Sequence, residues 1–279
     1  MPAPDQPLTA VGQPGPPTST EVRVQRWRDD RTASATDVVA EESPVALRYQ
    51  GAPYVVMLAT PADLEDLAVG FTVSEALVAS PDEIRHVRQQ ATGDALAVNI
   101  DIAPQRFAEL LQRQRNLMGR TGCGLCGAET VEGAIRRPPP VRAALSVSLA
   151  ALHAALLELA ARQPLNERTG SIHAAAWVLP DEGIRIVRED VGRHNALDKL
   201  IGALIRSKTD ISSGYVIITS RASYEMVQKA ATVGVPLLVA ISAPTGLAVR
   251  LAEACGLTLV GFARPGQHVI YSHPHRLQA

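Results

Sequence analysis

Residues 215–241, YVIITSRASYEMVQKAATVGVPLLVAI, contain an apolar run, a polar break, a helix-length segment and a second apolar run. Tyr215–Thr219 and Pro236–Ile241 are short and bounded by turn residues, as strands covered on both faces are. Between them Ser223 stands where it can cap a helix over Tyr224–Ala231. Strand, helix and strand in succession imply a layered α/β sheet. The alternation continues outward in both directions. Upstream are helix Leu149–Ala161, strand His173–Leu179, the turn Asp181-Glu182-Gly183, strand Ile184–Val187 and helix Asn195–Arg206. Downstream are helix Leu247–Ala254, stopped by Gly256, strand Thr258–Phe262, and strand His268–Tyr271 after Pro265-Gly266. Much of this sheet is expected to be parallel.

The first half has a different rhythm. Val22 and Val24 alternate with Arg23 and Gln25, and Val45–Tyr49 and Tyr54–Leu58 flank a hairpin turn at Gln50-Gly51-Ala52-Pro53. Thr60-Pro61-Ala62-Asp63 carries the signals of a helix start, with Thr60 as cap and Pro61 first in the helix. A short strand, Leu96–Ile100, precedes a helix from Pro104 to about Leu117. Residues 1–20 contain six prolines and two glycines and are expected to be disordered. The expected organisation is a disordered tail (1–20), a small α+β domain (21–117), a flexible loop and linker (118–140) and an α/β domain (141–279).

Composition excludes several classes. The chain has 279 residues with 27 basic and 28 acidic side chains, a net charge of −1 that lacks the basic excess of a general nucleic-acid binder. Aromatic residues are 4%, too few for base-stacking platforms. No apolar stretch reaches the roughly 20 residues of a membrane span, and residues 1–20 lack a secretory signal pattern. Three cysteines, an odd number, do not make a disulfide framework, so a reducing cytoplasm is the expected compartment.

Two of those cysteines are the sharpest chemical feature. Gly119-Arg120-Thr121-Gly122-Cys123-Gly124-Leu125-Cys126-Gly127 has four glycines in nine residues, which suits a loop that brings sulfur close to a partner. Two thiols at this spacing can share a metal, form a redox disulfide or pass sulfur. Arg115 and Arg120 favour the thiolate. Half of a zinc site would need a second ligand pair, and Cys255 has neither Cys nor His at metal-ligand spacing. A nucleobase deaminase would need His-x-Glu, whereas His173 is followed by Ala174-Ala175.

The polar βα connections form the second constellation. Arg188-Glu189-Asp190-Val191-Gly192-Arg193-His194-Asn195, Ser220-Arg221-Ala222-Ser223 and Ser242-Ala243-Pro244-Thr245 each follow a strand, where open α/β sheets place ligand groups. Asn195 or His194 can equally be a helix cap, and Asp190 can simply pair with Arg193. Arg221 and the helix starts suit phosphate. Arg264 in Gly261-Phe262-Ala263-Arg264-Pro265-Gly266-Gln267 suits a nucleotide, although the segment also reads as an ordinary hairpin.

Taken in order, Arg120–Gly127, Glu189–Lys199, Arg221–Lys229, Ser242–Thr245, Gly261–Arg264 and Asp63–Phe71 resemble the formate dehydrogenase accessory sulfurtransferase family (FdhD/NarQ) over roughly residues 21–275. The resemblance implies a small N-terminal α+β domain followed by a cytidine-deaminase-like three-layer α/β domain, as a homodimer. It implies a sulfurtransferase that takes persulfide sulfur from a cysteine desulfurase. The acceptor would be the molybdenum cofactor, bis(molybdopterin guanine dinucleotide), destined for the catalytic subunit of formate dehydrogenase. Cys123 would carry the persulfide and Cys126 would assist. Phe262, Ala263, Arg264, Pro265, Gly266 and Gln267 would contact the guanine dinucleotide. The reading of the residues themselves adds Arg193, His194 and Arg221 of the βα connections as cofactor contacts, and His173, which can equally be a hydrogen-bonded structural residue. The alternative is a non-catalytic chaperone of the same cofactor whose Cys-x-x-Cys loop binds zinc or docks a partner.

Overall fold

The computed structural model describes residues 16–92, 95–117 and 137–279. Cys123 and Cys126, residues 1–15 and most of the anticipated 118–140 linker therefore lie outside the described residues.

The chain opens with β1 (Ser19–Arg28) and β2 (Arg31–Ala40), paired antiparallel along their whole length as a two-stranded ribbon. Ser19 and Thr20 are thus strand residues, which corrects the end of the expected disordered tail. The strand Arg31–Ala40 has no sequence signal because the ribbon has no buried face to impose one.

A four-stranded sheet follows, built from β3 (Ser43–Tyr49), β4 (Ala52–Ala59), β5 (Ile84–Thr92) and β6 (Ala95–Ile102) in the order β4-β3-β6-β5. The hairpin β3–β4 forms as the sequence predicts, and β3 runs parallel to β6. Helices α1 (Leu64–Ser74) and α2 (Pro104–Leu117) cover one face, burying Leu64, Leu67, Ala68 and Leu110 against Val45, Leu47, Val98 and Ile100.

The second half contains β7 (Val147–Ser148), α3 (Leu149–Ala160), α4 (Pro164–Thr169), β8 (His173–Leu179), β9 (Gly183–Asp190), α5 (Arg193–Arg206), β10 (Tyr215–Ile218), α6 (Tyr224–Thr232), β11 (Leu237–Ala240), α7 (Gly246–Cys255), β12 (Thr258–Arg264), β13 (Gln267–Ser272) and β14 (Leu277–Gln278). Six of these strands form one sheet in the order β13-β12-β11-β10-β8-β9. Only β10–β11 and β11–β12 are parallel, so the sheet is mixed rather than mostly parallel. The βαβ units at its centre require crossovers, whereas short turns join β8 to β9 and β12 to β13 and reverse the chain.

Every residue of β10 and β11 is buried. Their side chains alternate between two cores. Val216, Ile218, Leu238 and Ala240 face α5, α6 and α7, while Tyr215, Ile217, Leu237 and Val239 pack with Leu152, Ala155, Leu156 and Leu159 of α3. Helices therefore cover both faces in three layers.

The two halves meet where α1 crosses α5. A Cβ at Gly70 would lie 1.7 Å from the Asp198 carbonyl oxygen, and one at Gly202 would lie 1.9 Å from that of Asp66. Backbone touches backbone here, and only glycine permits it. Asp66, almost fully buried, accepts from Arg188 at 2.8 Å and Arg206 at 2.6 Å across the same crossing.

Candidate functional site

The strand ends and helix starts of the large sheet meet along one edge. Asp190 ends β9 and pairs in register with His173 at the start of β8. The Thr219 hydroxyl beyond β10 accepts from the Ala174 N–H at 2.9 Å and stands 3.5 Å from His173 Nδ1. Ala222 forms a bridge with Pro244, locking the second βα connection to the third. The Phe262 N–H donates to the Ser242 carbonyl at 3.1 Å, which joins the third connection to β12. The polar loops read from sequence thus converge in space. The N-termini of α5, α6 and α7 lie along the same edge, and each offers free backbone N–H groups and a partial positive charge.

Asp190 organises the first loop, with different partners from those expected. Its carboxylate lies 2.6 Å from Lys199 Nζ, both side chains fully buried. It also accepts from the Thr60 N–H at 3.0 Å, the Gly192 N–H at 2.7 Å and Asn195 Nδ2 at 3.0 Å. Pairing with Arg193 is replaced by pairing with Lys199 because α5 turns the lysine inward. Burial pulls the Lys199 ammonium below the ordinary lysine range, and the Asp190 charge opposes that pull. Thr60 does not cap α1. Its N–H is given to Asp190, its carbonyl accepts from Lys199 at 2.9 Å, and its hydroxyl accepts from the Val191 N–H at 3.1 Å. The helix starts instead after Asp63, which adopts a left-handed φ of 53°. Neither His194 nor Asn195 caps α5. Gly192 holds the cap position, and Asn195 donates to the Leu58 carbonyl at 2.8 Å as well as to Asp190. The first half of the chain thus supports this sheet edge directly.

The cationic groups are distributed along this edge. Arg193 opens α5, and its Nε is buried without a hydrogen-bond partner among the described residues. Ser223 occupies the cap position of α6, yet its hydroxyl makes no cap bond and is likewise buried without a partner. Arg221 is exposed. Arg264 donates to the Ala263 carbonyl at 2.9 Å and to the Ile241 carbonyl. His194 Nε2 lies 2.8 Å from a Glu225 carboxylate oxygen. Burial, reinforced by the Arg193 charge, holds His173 below the ordinary histidine range. Burial does the same to His194 against the pull of Glu225. Both imidazoles are therefore neutral near pH 7 and can donate or accept hydrogen bonds without adding charge.

Phe262 has an uncommon backbone. Its φ is 50° at a bulge between β12 and β13, and its ring is 49% exposed. A left-handed aromatic residue with an open face costs energy that packing does not repay, a pattern characteristic of ligand contacts. Ala263 is buried beneath it, while Arg264, Pro265, Gly266 and Gln267 are exposed in the turn beyond. The structure therefore places His173, Arg193, His194, Arg221 and Phe262–Gln267 along one sheet edge and the hairpin extending from it. The sequence reading missed the buried roles of Thr60 and Lys199, and His153, which contacts the hairpin from α3. A lysine one helical turn after Asn195, between Leu197 and the apolar pair Leu200-Ile201, was the available signal for Lys199.

Among the described residues no three His, Cys, Asp or Glu side chains are grouped to hold a metal. Nor is any helix among them long and apolar enough to cross a membrane.

Comparison with known proteins gives a consistent result. The model of the FdhD/NarQ family matches residues 40–278. A protein of Cupriavidus necator named sulfur carrier protein FdhD is 51% identical over 278 residues, covering 100% of this chain and 96% of its own. A protein of the same name from Xanthomonas campestris pv. campestris is 51% identical over 270 residues, 96% of each chain. The crystal structure of a putative formate dehydrogenase accessory protein from Desulfotalea psychrophila superposes with a TM-score of 0.74, covering 94% of this chain and 100% of that one. At 22% identity it speaks for the fold alone. With its family model matched from Ala40 almost to its last residue, the chain belongs to the FdhD/NarQ family.

Proposed function

We propose that the protein is a sulfur carrier for formate dehydrogenase that acts as a sulfurtransferase on the molybdenum cofactor. The observation that supports this most is the convergence of Arg193, Arg221 and Arg264 with three long-helix N-termini on one sheet edge. Such an edge fits the pyrophosphate groups of bis(molybdopterin guanine dinucleotide), the substrate of sulfuration. Arg193 Nε and the Ser223 hydroxyl are buried without partners there, so a bound oxyanion would satisfy groups now left unpaired. The exposed Phe262 ring offers a stacking face for guanine.

In this reading the Cys123 thiolate attacks the outer sulfur of a persulfide held by a cysteine desulfurase. A new S–S bond forms on Cys123, the donor's S–S bond breaks, and the donor cysteine leaves as a thiolate. Cys126 assists by protecting or displacing the carried sulfur. Four glycines in Gly119–Gly127 are the composition that a segment delivering sulfur from donor to acceptor calls for.

The test is intact-mass measurement after incubation with a desulfurase and cysteine. The expected result is a gain of about 32 Da, one sulfur on an activated thiol, that dithiothreitol reverses and Cys123→Ser abolishes. Stoichiometric zinc without that gain would establish the chaperone reading instead. Full formate dehydrogenase activity in cells carrying only Cys123→Ser would overturn the proposal.

A further inference from the structure

The turn that carries Arg264 has an unusual support. Arg264 pairs with Gln267 across Pro265 and Gly266, a two-residue hairpin connection. Pro265 fixes its own φ near −65°, and Gly266 has φ +84°, which is the pattern of a type II turn. Hairpins of this length favour types I′ and II′, whose twist matches the strands, while type II splays them. The β12–β13 turn is therefore a poor closure in isolation and needs a hold from outside.

His153 supplies that hold. It projects from α3, on the opposite face of the sheet from α5, α6 and α7. The Gly266 N–H donates to His153 Nδ1 at 2.9 Å, and the Arg264 carbonyl lies 3.1 Å from the same nitrogen. On the far side, His153 Nε2 is 3.3 Å from His268 Nδ1 on β13. A backbone N–H is always a donor, so Nδ1 must be the unprotonated nitrogen. The imidazole proton then sits on Nε2 and points at His268. Both rings are neutral in this arrangement, and His268 is held below the ordinary histidine range by burial and by the proximity of His153.

The other charged groups of the packed elements face elsewhere. The Arg264 guanidinium turns to the Ile241 and Ala263 carbonyls. Glu158, the acid of α3, accepts from the Ile184 N–H and from Arg162. On β9, Arg188 is held by Asp66, Arg185 by Glu182, and Glu189 by the backbone of α4.

We propose that His153 is a positioning residue for the ligand-contacting turn. Its neutral ring clamps Gly266, and protonation replaces that bond with one to the Arg264 carbonyl, so the grip of Phe262–Gln267 on its ligand weakens in acid. The proposal rests on the reading of those residues as cofactor contacts. Protonated Nδ1 becomes a donor and cannot accept from the Gly266 N–H, while the neighbouring carbonyl becomes its natural partner. One ring thus has two mutually exclusive partners on the same turn, selected by one proton.

The experiment uses the full chain, with guanosine diphosphate as probe. Two readouts are followed from pH 8 to 5.5: the Gly266 amide resonance without ligand and the dissociation constant by calorimetry. In the wild type the resonance should move across this range, and affinity should fall about threefold to tenfold, the worth of one hydrogen bond. His153→Asn keeps an acceptor at the Nδ1 position and cannot titrate. Its Gly266 resonance should move less than that of the wild type, by no more than the neighbouring His268 contributes, and it should lack the acid loss attributable to the His153 ring. His153→Leu should bind weakly even at pH 8. His173, His194 and His268 also titrate, so the difference between wild type and His153→Asn is what counts. Identical pH profiles in those two proteins, or a Gly266 resonance indifferent to pH in the wild type, would overturn the clamp. If the resonance responds to pH more in the wild type than in His153→Asn but guanosine diphosphate binds at no pH, the clamp stands and the cofactor reading of the turn falls.

Discussion

Lys199 and Asp190 form a fully buried ion pair, 2.6 Å apart, at the junction between the two halves of the chain. The pair is asymmetric. Without Lys199, Asp190 keeps N–H donors from Thr60, Gly192 and Asn195; without Asp190, the ammonium keeps, among the described residues, the Thr60 carbonyl at 2.9 Å and the Glu189 carbonyl at 3.4 Å. Asp190→Ala should therefore destabilise by about 3–5 kcal/mol, as removal of one partner of a buried pair does. Lys199→Met should cost clearly less. Urea unfolding of the two variants decides the order, and equal losses would contradict the asymmetry.

The crossing of α1 and α5 leaves no room for a methyl group. Gly70→Ala and Gly202→Ala would each set a Cβ within 2 Å of a carbonyl oxygen, at 1.7 and 1.9 Å. Each should destabilise by about 3 kcal/mol or more, because backbone rather than a movable side chain must shift. The double variant should cost less than the sum, since one separation of the helices relieves both clashes. Thermal unfolding of the three proteins measures this directly.

Acid should weaken the fold through His173 and His194. Both are held below their ordinary value of 6.5 in the native state, chiefly by burial. The unfolded chain therefore takes up protons below about pH 6.5 that the native state refuses. Stability is full above that pH and declines as pH falls from it toward the depressed native values. His194→Gln should flatten the decline in melting temperature between pH 7 and 5. An unchanged slope in both His194→Gln and His173→Gln would show that other groups govern it.

Arg221 is exposed beside the α6 N-terminus, so its contribution to binding should be electrostatic. Arg221→Ala should weaken guanosine diphosphate binding by about threefold to tenfold at low salt. The difference from wild type should shrink as salt rises and screens exposed charge. Calorimetry at two ionic strengths tests both statements, and a salt-independent loss would point to a packing role for the arginine stem.

Legibility in the sequence followed burial. Tyr215–Ile218 and Leu237–Ala240 were legible because both faces are covered, which forces continuous apolar runs. Arg31–Ala40 was not, because a ribbon with no buried face imposes no pattern. Ile84–Thr92 likewise reads as polar, with Arg85, His86, Arg88 and Gln90 along it. The polar βα loops could be found because helix starts after strands carry local signals. The role of Thr60 could not be, because its partners lie about 130 residues away in sequence. The His153–Gly266 bond spans 113 residues and joins a covering helix to a strand turn, so nothing local announces it.

Phe262 offers a way to separate stability from function. Its left-handed φ of 50° is a cost that glycine would not bear, whereas its half-exposed ring contributes little burial in return. Phe262→Gly should therefore leave stability within about 1 kcal/mol of the wild type, because relief of backbone strain offsets the added freedom of the unfolded chain. Phe262→Ala keeps the strain and loses the ring, so it should be the less stable of the two. Guanosine diphosphate affinity should fall in both, by about fivefold to a hundredfold, if the ring stacks on the base. Phe262→Tyr should restore it. Urea midpoints and calorimetry on the same three variants make the comparison. A stable Phe262→Gly with wild-type affinity would mean that the strained aromatic serves some contact other than the nucleotide.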